Sequence, residues 1–192
     1  MISSDVCLIK GGLSLYDRVA FKRKLNARNL LSKGSFAMSS PGVLVEKLKN
    51  FPIFEGLSTN DLEHVASILR VQHVSQGAQL IKQEQNAAEV FFIVDGRIRV
   101  EMMGLDGKVA EKLTTLSAGD TVGELALARV GRRTASAVAQ MDSELYSADA
   151  SALNALFETY SLIGLQVFRN LSKVLASRLV DTNFLVRNAT AR

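Results

Sequence analysis

The stretch "VFFIVDGRIRVEMM", residues 90–103, decides the fold. Two apolar-rich runs are parted by Asp95-Gly96. An Asp-Gly pair between such runs is the strongest short-range hairpin signal, because the tight turn needs residues that accept positive φ. The same texture continues in both directions. "LRVQHV" (69–74) and "AQLIK" (78–82) precede it; "KVAEKLTTL" (108–116), "TASAVAQM" (134–141) and "ELYSA" (144–148) follow it. A second Asp-Gly pair stands at 106–107. Short strands at roughly ten-residue spacing predict an α+β, mainly β domain. Its body is an eight-stranded antiparallel β-roll of jelly-roll type over 69–148.

Helices flank this body. Residues 43–68 read as helical at both ends, and Ser58, Thr59 or Asn60 can cap a helix that buries Leu62, Val65, Ala66 and Leu69. Helix returns over 149–188. There Leu165, Phe168, Leu175, Leu179, Thr182 and Val186 fall near a 3–4 spacing. That stripe must cover the β body, a second copy of the chain or a ligand. Residues 1–42 read as a basic extension and linker, and 43–192 as the domain. Met38 is an alternative chain start.

The chain has 192 residues and a net charge of +4. Seven basic residues stand against Asp5 and Asp17 in residues 1–40, so the remainder is close to neutral. An arm of this kind is usually solvated; binding to nucleic acid, binding to a membrane surface, or organelle targeting are its other readings. A single cysteine, Cys7, excludes an internal disulfide framework and fits a reducing, cytoplasmic setting. No apolar run is long enough to span a bilayer. His64 and His73 are isolated, so no metal site is expected.

Chemistry concentrates in "GELALARVGRRTAS", residues 123–136. Gly123 has no Cβ, so a ligand can come close to the backbone. A short turn from Glu124 to Ala128 can offer amide donors to an anion. Arg133, nine positions after Glu124, has a fork that holds two phosphate oxygens together. Thr134 adds a hydroxyl and Ala135 an amide. Glu124 would repel a phosphate, but suits a sugar hydroxyl at the ligand's other edge. This inventory asks for one negative charge, a nearby hydroxyl and a flat apolar part, which a nucleoside cyclic monophosphate supplies. Arg129 and Arg132 read as solvated neighbours.

These residues resemble the phosphate-binding cassette of the cyclic-nucleotide-binding domain family. That family includes kinase regulatory subunits, cyclic-nucleotide-regulated channels and bacterial cyclic-AMP receptors. The resemblance covers about 51–186 and includes "FPIFEGLS" (51–58), "VFFIVDGRIRV" (90–100) and "LSAGDTVGE" (116–124). It implies that Glu124 takes the ribose 2′-hydroxyl and Arg133 the cyclic phosphate. The amides of Leu125, Ala126 and Ala135 and the Thr134 hydroxyl would assist. It also implies that polar residues of the long helix, at about Thr182 and Asn183, reach the purine. Two departures stand out. Glu84 and Gln85 occupy the place of the family's usual glycine and acid, and Val122 stands where an aromatic residue is common.

The expected function is a non-enzymatic sensor of cyclic AMP or cyclic GMP that needs no cofactor. It would regulate a partner protein, or a second copy of itself, by repacking its C-terminal helices. One alternative keeps the fold with another ligand or an empty pocket, as a protein-interaction module. Another is a transcription regulator of the cyclic-AMP-receptor type without its DNA-binding domain, since little chain follows the long helix. A jelly-roll metalloenzyme would need clustered histidines that are not present.

Overall fold

The computed structural model describes residues 41–104 and 109–190, all of them within the unit Ala37–Arg192. Of the extension read over 1–42, residues 1–40 lie outside the described residues, as does the second Asp-Gly pair; Pro41 and Gly42 belong to the first helix instead.

Helix α1 (Pro41–Leu48) is followed by a 3-10 turn (Pro52–Phe54) and helix α2 (Thr59–Ala66). Among the three candidate caps, Ser58 starts α2. Its hydroxyl accepts from the Asp61 N–H and the Asp61 carboxylate accepts from the Ser58 N–H, a reciprocal capping box. Leu62 and Val65 are buried, as the spacing predicts.

Eight strands follow: β1 (Arg70–Val74), β2 (Gln79–Ile81), β3 (Glu89–Asp95), β4 (Arg97–Met103), β5 (Val109–Ser117), β6 (Thr121–Val122), β7 (Ser136–Ala139) and β8 (Ser143–Asp149). They form two antiparallel four-stranded sheets, ordered β1-β8-β3-β6 and β2-β7-β4-β5. The hairpin between β3 and β4 turns at Gly96, φ +108°, where a Cβ would collide with Ser143. Only β6 escaped the sequence pattern: two residues are too few to show a period.

The run 90–93 is apolar without alternation because both faces of its sheet are covered. Val90 and Phe92 face the helices; Phe91 and Ile93 face the other sheet. Strand β8 does the same, with Tyr146 and Ala148 on the helical side and Leu145 between the sheets. Phe51, just before the 3-10 turn, and Phe54 within it pack on Phe92, with ring centroids 5.7 Å and 5.1 Å away.

After β7 and β8 come α4 (Ala150–Thr159) and the 30-residue α5 (Ser161–Thr190); the four-residue α3 (Leu125–Ala128) lies earlier, between β6 and β7. The buried face of α5 is Ile163, Val167, Asn170 and Leu171, which packs on the 3-10 turn and α4. The predicted stripe is divided: Leu165, Phe168, Leu179 and Val186 are exposed and do not cover the β body, whereas Leu175 and Thr182 line the cavity described below. Polar bonds fix the rotation. The Asn170 amide, 1% exposed, donates to the carbonyls of Glu55 (2.7 Å) and Ile53 (3.3 Å), and Gln166 donates to Glu55 O at 3.0 Å. Among the described residues, no helix is long and apolar enough to cross a membrane.

Candidate functional site

A cavity of about 690 Å³ opens between the β2-β7-β4-β5 sheet, α3 and α5. Short-range constraints build its floor. Strand β6 pairs Val122 with Phe91, and the chain then turns at Gly123, φ +81°. A Cβ on Gly123 would sit 2.6 Å from Arg133 Nη1 and 2.9 Å from the Glu89 carbonyl oxygen. Glycine is required there both for backbone conformation and for space.

Arg133 reaches the cavity from the segment before β7. Its guanidinium donates to the Glu89 carbonyl at 2.6 Å and to the Gly123 carbonyl at 3.3 Å. No carboxylate lies within ion-pair distance of it among the described residues. Burial pulls its pKa below the usual arginine value, against the weaker opposing pull of Glu89 and Glu124. The group stays protonated at any ordinary pH. A half-buried cation held only by carbonyl dipoles, at the wall of a cavity, is prepared for an anion.

Glu124 is 5% exposed. Its carboxylate accepts from Arg178 Nη1 at 2.7 Å, and Arg178 Nη2 donates to Thr121 O at 2.8 Å. Arg178 therefore ties α5 to the cassette. It was missed in the sequence, although it stands four residues before Thr182 and hence on the same helix face.

Val122, Gly123, Glu124, Leu125, Ala126, Arg133, Thr134, Ala135 and Thr182 all line the cavity. Asn183 does not; it is exposed, and Asp181 takes the place on the wall beside Thr182. The Thr182 hydroxyl donates to Arg178 O at 2.8 Å. The Ala126 amide, expected as a free donor, bonds to Gly123 O at 3.1 Å. Arg129 and Arg132 are exposed as predicted, yet both contribute to the rim. The lining contains no histidine or cysteine.

Glu84, where the family's glycine was missed, has φ +67°. The turn keeps a left-handed geometry despite the side chain.

Residues 71–160 match the sequence model of the family described as Cyclic nucleotide-binding domain. The chain is 29% identical over 136 residues to the cyclic AMP receptor protein of Thermus thermophilus, covering 71% of this chain and 61% of that protein. It is 32% identical over 140 residues to the cAMP-dependent protein kinase regulatory subunit of Mycosarcoma maydis, covering 72% of this chain and 24% of that one. Its fold matches the crystal structure of the Thermus thermophilus catabolite activator protein with a TM-score of 0.62 at 27% identity, over 72% of this chain and 63% of that chain. By this match residues 71–160, the β-roll with its cassette, form a cyclic nucleotide-binding domain; α5 lies beyond the matched segment. The chain spans less than two thirds of the length of these curated relatives.

Proposed function

We propose that the protein is a cyclic nucleotide sensor whose output surface is α5. The observation that carries this is the half-buried guanidinium of Arg133 on one cavity wall, held by carbonyl groups and within ion-pair distance of no carboxylate among the described residues, with the buried Glu124 carboxylate on the same cavity. The cyclic phosphate sits on Arg133, with the Thr134 hydroxyl and the Ala135 amide beside it. The ribose 2′-hydroxyl donates to Glu124. The base lies towards Thr182 and the apolar wall of β5, where cyclic AMP and cyclic GMP both fit the inventory.

Coupling follows from Arg178. The carboxylate that receives the sugar hydroxyl is the one that holds α5. Ligand occupancy and helix position therefore act on one group, and a ligand shifts the helix only by its differential affinity for the two positions. Leu165, Leu179, Val180, Phe184 and Val186 leave an apolar outer surface on α5 for a partner protein or a second copy. The domain binds and transmits; it does not catalyse.

The test is a comparison of cyclic AMP with its 2′-deoxy analogue on wild type and Glu124→Gln. The wild type should prefer the 2′-hydroxyl ligand, and the variant should lose most of that preference. An equal loss for both ligands would remove Glu124 from the ribose.

A further inference from the structure

Among the described residues, Glu84 is the only non-glycine residue with positive φ. A residue with a Cβ resists that conformation, whereas glycine adopts it without strain. Its surroundings impose it. The Glu84 N–H donates to Arg133 O at 3.0 Å, the Arg133 N–H to Gln85 O at 2.8 Å, and the Ala87 N–H to Gly131 O at 2.9 Å. On the other side, the Gln83 amide oxygen accepts from the Met103 N–H at 2.8 Å. The backbone path is thus fixed by partners that any side chain would share. What glutamate adds over glycine is a carboxylate.

That carboxylate lies 3.5 Å from Arg132 Nη1. Arg132 stands on the cavity rim next to Arg133. Without Glu84, the lining residues Arg129, Arg132 and Arg133 would all stand outside ion-pair distance of any carboxylate among the described residues.

We infer that Glu84 is a specificity-determining residue that selects a phosphate of one negative charge over one of two. The inference rests on the cyclic nucleotide reading above. A cyclic phosphate diester carries one charge. The ring-opened 5′-monophosphate carries nearly two at neutral pH, since the second proton of a phosphate monoester leaves near pH 6. Coulomb energy scales with ligand charge, so a fixed carboxylate penalises the dianion about twice as strongly as the monoanion on a logarithmic scale. A sensor built this way stays silent towards the hydrolysis product of its own ligand. Both Glu84 and Arg132 are exposed, so the effect is modest and screened by salt.

Two variants separate charge from backbone strain. Glu84→Gln keeps the strained turn and removes the charge; Glu84→Gly removes both. Each is titrated with cyclic AMP and with 5′-AMP, at low salt and at high salt. Both variants should narrow the preference for cyclic AMP by about two- to fivefold, the size of an exposed ion-pair effect. The narrowing should shrink at high salt. Only Glu84→Gly should raise the melting temperature, by about 2–4 °C. If the wild type binds cyclic AMP and the ratio is unchanged in both variants, or changes equally at both salt levels, this inference falls alone. If the wild type binds no cyclic nucleotide, it falls together with the proposed function.

Discussion

Arg133 is held by two carbonyl groups and, among the described residues, by no acid, a placement that burial disfavours. Replacing it by lysine keeps the charge and loses the fork. We expect Arg133→Lys to weaken cyclic nucleotide binding by about 1.5–3 kcal/mol, roughly 10- to 150-fold, in a calorimetric titration. Stability should fall by no more than about 1–3 kcal/mol, because an ammonium can keep one of the two carbonyl hydrogen bonds and no ion pair is broken. A variant that binds as well as wild type would take the phosphate away from Arg133. Both Glu124 and Arg133 were legible in the sequence, since a local segment holds them and their spacing is a chemical statement. Arg178 was not: it lies 54 residues from Glu124, and one arginine on a helix reads as a solvated side chain until the fold brings the two together. Asn183 was misplaced for a related reason. Adjacent helical positions differ by about 100°, so an error of one position moves a side chain off the wall.

At the scale of elements, α5 shows how a helix can be found in a sequence that leaves open what its apolar residues cover. Apolar residues stand on several sides of it, so a 3–4 spacing can be drawn through more than one register. The structure resolves the choice through a polar residue, Asn170, whose amide satisfies two carbonyls near the 3-10 turn. Asn170→Ala leaves those buried acceptors without their donor and should lower stability by about 1–3 kcal/mol in urea unfolding. Leu179→Ser, on the exposed side, should stay within about 0.5 kcal/mol of wild type. The opposite order would mean that the apolar stripe, not the asparagine, holds the helix. The strands were more legible than the helices' faces. Asp95-Gly96 set a hairpin, and runs such as 90–94 had only one way to be covered. The turn at Glu84 was not readable, because tertiary hydrogen bonds impose a conformation its own side chain resists.

At the scale of the molecule, the domain is layered. One core lies between the two sheets and another between β1-β8-β3-β6 and the helices. The second includes Tyr146, whose hydroxyl is buried close to Lys47. Burial pushes its pKa up. Nearby, the hydrogen bond to Glu144 raises the Lys47 pKa. Both shifts act in one direction. The unfolded chain gives up these protons near pH 10, before the folded chain does, so stability is full below that range and falls as pH rises through it. The urea midpoint should be level between about pH 7 and 9 and drop above about pH 10. A midpoint that is level or rising up to about pH 11 would contradict the assignment. This core, the cassette and α5 together serve one claim: the Arg133 guanidinium, held by carbonyl groups, and the buried Glu124 carboxylate share a cavity shaped for a monoanionic sugar ligand. Titration calorimetry of the wild-type chain with cyclic AMP and cyclic GMP tests it most directly. The account predicts saturable binding of at least one of them at one site per chain. Heats no larger than dilution for both would contradict it.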